Sequence, residues 1–179
     1  MQRLRLALSI LCLFEAAPVL AQHLDYARPG MYAQLNGVAS FESFDGAPSG
    51  LFDPGVGASG RVGFRMSPQF AVEGIVEYSG DFVASSGIDL SATLLSANAR
   101  YYVLTDRVQP YVTTGVGWGF ANTNLGSDES GFVGRFGGGL DFYLSESWGL
   151  TAEFAYNVAS GDIDGFDYTT LGWGAFLRF

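Results

Sequence analysis

The sequence contains no lysine, one cysteine, Cys12, and one histidine, His23. Zinc centres draw largely on Cys and His, and a nucleophilic serine needs a base within hydrogen-bond reach, so both chemistries lack a component here. Charged residues amount to 15% of the chain, where a soluble domain carries about a quarter. The nine basic residues are all arginine and face eighteen acids. That balance repels a phosphate backbone and excludes nucleic acid as a partner. Beyond the N-terminus no apolar run approaches the roughly 20 residues that a bilayer-crossing helix needs.

At the N-terminus, Arg3 and Arg5 precede the apolar run LALSILCLF, and APVLAQ then offers small residues for cleavage after Ala21. This is the pattern of a secretory signal peptide over residues 1–21, leaving 22–179 as the mature domain. Cys12 falls inside the removed segment. The exported chain is therefore expected to carry no cysteine and no disulfide, and its stability must come from elsewhere. Loss of Arg3, Arg5 and Glu15 leaves seven basic against seventeen acidic residues.

What the mature chain has instead of long apolar runs is alternation. In MYAQLNGVASF, Met31, Ala33, Leu35, Gly37, Ala39 and Phe41 fall on one side, with Tyr32, Gln34, Asn36, Val38 and Ser40 on the other. Period two with one apolar face marks a two-faced strand. The pattern recurs in ASGRVGFRM, FAVEGIVEYS, TLLSANARYYV, YVTTGVGWGF, FVGRFGGGLDFYL, LTAEFAYNV and the closing stretch from Thr170, which makes eight strands. The connections SPQ, LTDRVQ and SES are tight, and those over 42–57, 80–89, 121–130 and 159–168 are longer and rich in Gly, Ser, Asn and Asp. In an up-and-down meander the long connections share one rim.

Period two alone does not say whether the apolar face turns inward or outward. Both a soluble lipocalin-like carrier and a membrane barrel are closed sheets without edges. Three features favour lipid. Aromatic residues near strand ends suit interfacial girdles. The mixed faces combine charges with small residues, as the narrow interior of eight strands demands. Short turns at one rim and long loops at the other match outer-membrane barrels.

The last residues, GWGAFLRF, run as a strand to the terminus, with Leu171, Trp173, Ala175, Leu177 and Phe179 as its apolar ladder. In this the chain resembles bacterial outer-membrane proteins, whose assembly machinery recognises a last strand ending in phenylalanine. Across the whole mature chain it is similar to the small eight-stranded group of the OmpA membrane domain, OmpX and the opacity-type surface proteins. The resemblance implies an all-β, eight-stranded antiparallel up-and-down transmembrane β-barrel in the outer membrane, with short periplasmic turns, longer extracellular loops and both termini periplasmic. It also implies outer-membrane lipid, lipopolysaccharide and the barrel-assembly machinery as partners. With Phe179 as the last residue, no periplasmic peptidoglycan-binding domain is expected.

The faces assigned to the lumen carry Arg61, Arg65, Arg100, Arg135 and Arg178 together with Glu73, Glu77, Asp141 and Glu153, five positive charges against four negative. Charges confined in a dry interior must be paired and hydrogen-bonded. Because the SPQ turn joins neighbouring strands, Arg61 and Arg65 are expected to pair with Glu73 and Glu77. The bland reading is a polar core that fills the barrel; the sharper one is a narrow gated conduit.

Other motifs carry less. Gly55, Gly57 and Gly60 spell GxGxxG, but the dinucleotide fingerprint needs a strand before it and a helix after it. The long connections hold Glu42, Asp45, Asp53, Asp81, Asp89, Asp128, Glu129, Asp162, Asp164 and Asp167 and no arginine. Solvated acidic loops are the plain reading; recruitment of divalent cations or cationic partners is the functional one. DIDGFD places its glycine wrongly for an EF-hand. No catalytic residue, metal site or cofactor is expected. The function read from the sequence is a structural or cell-surface interaction role, with a narrow porin-like channel as the alternative and a soluble carrier third.

Overall fold

The computed structural model describes residues 25–42, 54–83, 89–123 and 128–179. The expected signal peptide, His23, Asp45 and Asp53 lie outside them. Eight strands follow in chain order: β1 (Gly30–Glu42), β2 (Gly55–Arg65), β3 (Phe70–Val83), β4 (Asp89–Tyr102), β5 (Val108–Thr123), β6 (Asp128–Tyr143), β7 (Trp148–Gly161) and β8 (Tyr168–Arg178). Each pairs antiparallel with its neighbours in sequence, and β1 pairs with β8, so the sheet closes into a barrel with no free edge. The run that spelled GxGxxG lies in β2, within the barrel wall.

The strands are longer than the sequence pattern suggested. β5 and β6 have 16 residues each and β3, β4 and β7 have 14, whereas about 9–11 tilted residues cross a bilayer. Part of the expected long-loop sequence, at 80–83, 121–123, 128–130 and 159–161, is thus strand. Part of the expected 159–168 connection is a compact turn, where Gly161 and Gly165 adopt φ of 85° and 81°, conformations that favour glycine.

Alternation along the strands resolves into two surfaces. Leu35, Val62, Val76, Leu95, Val116, Phe136, Phe154 and Trp173 are exposed on the outside, while Gln34, Arg61, Glu77, Ser96, Thr113, Arg135, Glu153 and Thr170 are buried within. The apolar outer face can meet hydrocarbon, and the polar inner face is closed off by the barrel wall. Tyr101, Phe142 and Trp148 stand near the short-turn rim, and Phe41, Trp118 and Phe120 toward the other. The aromatic residues are not confined to girdles: Trp173 lies mid-strand, with its ring over Gly37 across the closing β1–β8 seam.

Eight strands enclose little space, and glycine makes room for the interior rings. Tyr32 is directly opposite Gly63, Tyr111 opposite Gly139, and Phe176 opposite Gly149. A Cβ on any of these three glycines would stand 2.2 to 2.6 Å from the facing ring or its hydroxyl. The rings lie flat over their neighbours because nothing projects from the opposing residue, a cross-strand pairing that also holds register.

Candidate functional site

The lumen is the chemically distinctive part of the molecule, and its middle is a network of seven charges. Period two on β2, β4 and β6 aims Arg61, Arg100 and Arg135 inward. The same phase on β3, β6 and β7 presents Glu73, Glu77, Asp141 and Glu153. Glu153 is the hub. It takes a bidentate pair from Arg61 at 2.6 and 2.7 Å, a bond from Arg135 Nη2 at 3.0 Å, and the Tyr111 hydroxyl at 2.9 Å. Such forked guanidinium–carboxylate contacts are the strong and directional kind.

Arg100 occupies the complementary position among the cations. It lies 3.1 Å from Glu73, 3.3 Å from Asp141 and 3.5 Å from Glu153, and its guanidinium is 3.9 Å from the centre of the Tyr111 ring. The remaining acceptor capacity is used by neutral donors. Tyr32 donates to Glu73 at 2.9 Å, and Tyr102 and Thr151 donate to Asp141 at 3.2 and 2.7 Å. Farther toward the long-connection rim, Arg135 bridges Glu77 at 3.2 Å and Asn157 Oδ1 at 3.0 Å.

Beyond this network the filling changes. Leu94, Ala121, Val133, Ala159 and Ile163 form a buried apolar cluster with Phe166 packed against it. Ile163 and Phe166 come from the β7–β8 connection, so this loop folds back into the mouth of the barrel. Asp167 fixes it there, accepting from the Tyr156 hydroxyl and the Ala159 N–H at 2.9 Å each. A void of about 10 Å³ bordered by Val133, Ala159, Ile163, Phe166 and Tyr168 lies beside the cluster, room for one water at most.

At the short-turn mouth of the barrel, residues 25–29 enter the lumen from below β1. Tyr26 lies against Tyr143, with ring centres 5.3 Å apart, and its carbonyl accepts from Arg65, Gln109 and Arg178.

A family model described as the outer membrane protein beta-barrel domain matches residues 6–179. The chain belongs to that family. A comparison with curated protein sequences yields no significant match. Among solved structures, Neisserial surface protein A superposes with a TM-score of 0.73 at 19% identity, covering 84% of this chain and 97% of its own. Ail, the attachment invasion locus protein of Yersinia pestis, gives 0.61 at 19%, covering 85% of this chain and 100% of its own. The outer membrane enzyme PagL gives 0.50 at 14%, covering 82% and 99%. These likenesses concern the fold. As a member of this barrel family, the protein is a bacterial outer-membrane protein with extracellular loops opposite the short periplasmic turns.

In this family member, all nine lumen residues expected from the sequence face inward and are buried. Seven form the network; two do not. Arg65 and Arg178 have no carboxylate within ion-pair distance among the described residues. The expectation that Arg65 pairs with Glu73 or Glu77 is corrected: β2 brings Arg65 to the very end of the barrel, opposite Ala71, below both acids. Arg65 lies instead 3.9 Å from the Tyr102 ring centre and donates to Gln109 at 2.8 Å and to the carbonyls of Ser67 and Pro68. Arg61 does reach Glu73, at 3.5 Å, but its shortest partner is Glu153 across the lumen. Glu77 pairs with Arg135, again across the lumen.

The C-terminal ladder of Leu171, Trp173, Ala175, Leu177 and Phe179 faces outward, and the Phe179 N–H bonds to the Met31 carbonyl at 2.9 Å. Four groups important to the lumen escaped the sequence reading: the hydroxyls of Tyr32, Tyr102, Tyr111 and Tyr143. Their inward phase was visible in the alternation. Their service as donors to buried carboxylates, or for Tyr143 as an acceptor from arginine, was not.

Proposed function

We propose that the protein is a closed-lumen barrel with a structural or cell-surface interaction role, in which the interior charges act as a core and the working surfaces are the extracellular loops and the lipid-facing wall. One observation supports this above the others: the middle of the lumen is filled from wall to wall by the Arg61–Glu153–Arg100–Glu73 network, with apolar packing outside it. A barrel whose interior is occupied by side chains has no room for a permeant solute. On this reading the protein is not an enzyme, and its single histidine precedes the first strand.

The same reading assigns the apolar ladder ending at Phe179 to recognition by the barrel-assembly machinery, and outer-membrane lipid and lipopolysaccharide to the outer wall and rim. The acidic loop residues would recruit divalent cations or cationic partners. Asp162 and Asp164 are exposed at that rim, whereas Asp167 is engaged within its own loop. The competing reading, a narrow conduit gated by the ion pairs, gives a different result in planar bilayers. We expect no conductance from the wild type and none from Arg61→Ala, because Arg100, Arg135 and the apolar cluster still obstruct the path. Steady single-channel currents from the wild type would replace the closed-core reading with the conduit.

A further inference from the structure

The cations at the centre of the lumen each have carboxylate partners; those at its periplasmic mouth do not. Arg65 and Arg178 are 1% and 4% exposed, yet their guanidiniums meet only neutral acceptors among the described residues. Three donors from three strands converge on one oxygen, the Tyr26 carbonyl: Arg65 Nη1 at 3.3 Å, Gln109 Nε2 at 3.2 Å and Arg178 Nη1 at 2.5 Å. The Tyr143 hydroxyl accepts from the same two arginines at 3.4 and 3.2 Å, and Arg178 also donates to the Arg28 carbonyl.

A carbonyl oxygen has two lone pairs and no formal charge. Two buried guanidiniums with no counter-charge are costly, because desolvation is not offset by an opposite charge. Their planar forks are shaped for phosphate or carboxylate oxygens. The segment that supplies the neutral acceptor belongs to no strand. Its further anchors are the Tyr26–Tyr143 ring contact and a 3.2 Å bond from the Asp25 N–H to Glu146 that is exposed to solvent.

We propose that the periplasmic mouth is an oxyanion site of the phosphate class, built by Arg65, Arg178 and Gln109 and masked by residues 25–29, whose Tyr26 carbonyl stands where an anion oxygen binds. The inference is independent of whether the lumen conducts. The anion and the segment compete, so the apparent affinity of the wild type is reduced by the fraction of molecules in which the segment is displaced.

The test uses the full mature protein in a sugar-headgroup detergent that carries no phosphate, with the side-chain Nε–H signals of Arg65 and Arg178 followed by NMR. One arm adds inorganic phosphate and the other adds phosphatidylglycerol; they distinguish a free anion from a lipid headgroup. Saturable shifts of both arginine signals are expected in at least one arm. Tyr26→Ala, which removes the ring contact, should bind about tenfold more tightly as the masked fraction falls. Arg178→Gln should lose binding, and Arg107→Gln, at the exposed part of the same rim, should retain it. Heat-modifiable gel migration verifies that each variant is folded. Unmoved arginine signals in both arms at millimolar ligand, in wild type and Tyr26→Ala alike, would overturn the site. Equal affinities for these two proteins would overturn the masking, and equal loss with Arg107→Gln would reduce the shifts to general charge attraction.

Discussion

Between β2 and β7 the lumen is spanned by the forked Arg61–Glu153 pair, whereas farther out Ile163 meets Val133 and Ala159 with no polar group among them. The two regions close the same barrel by different physics. In the middle, each charge is tolerable only because its partners are present, so the energy resides in a mutual dependence. In the outer part, each methyl group contributes its own burial and dispersion, and the loss of one leaves the others intact. The middle should therefore be brittle under single substitutions and the outer part graded.

The largest break in that comparison is expected from Glu153→Ala. It deprives Arg61 of a bidentate partner and Arg135, Arg100 and Tyr111 of an acceptor at once. Removing one member of a buried ionic cluster costs about 3–5 kcal/mol, to be read as a loss of unfolding free energy in urea titrations of the vesicle-embedded protein. Ile163→Ala, in the apolar region, should cost about 2 kcal/mol, the lower end for such truncations because a loop can settle into part of the space. Asp164→Asn, exposed on the same loop, should change stability by less than about 0.5 kcal/mol. A Glu153→Ala loss no larger than that of Ile163→Ala would erase the distinction between the two regions.

How much of this was legible beforehand depends on how local each signal is. The inward or outward phase of every strand could be read because it repeats every second residue and needs no knowledge of the partner strand. Val38, Ile75 and Leu94 are apolar residues in the inward phase, exceptions to the rule of polar interiors, and the structure buries all three. Pairing across the lumen was not legible. Arg61 and Glu153 are separated by 92 positions, and only barrel closure brings β2 opposite β7. Reasoning from the hairpin turn instead favoured Glu73 and Glu77, of which only Glu73 reaches Arg61, as a secondary partner. The neutral partners of Arg65 and Arg178 were out of reach for another reason: backbone carbonyls of an irregular segment carry no side-chain signature. The loop of Ile163 and Phe166 looked like a solvated acidic connection because its acids outnumber its apolar residues, although those apolar residues decide where it packs.

The measurement that tests the central claim most directly is a double-mutant cycle on the pair that crosses the lumen. Unfolding free energies in the same lipid are needed for wild type, Arg61→Ala, Glu153→Ala and the double variant. If the interior charges form one interdependent core, each single substitution strands the opposite charge and the double variant loses well under the sum, with a coupling of about 1.5–3 kcal/mol. Losses that add to within about 0.5 kcal/mol would contradict it, since Arg61 and Glu153 would then contribute independently.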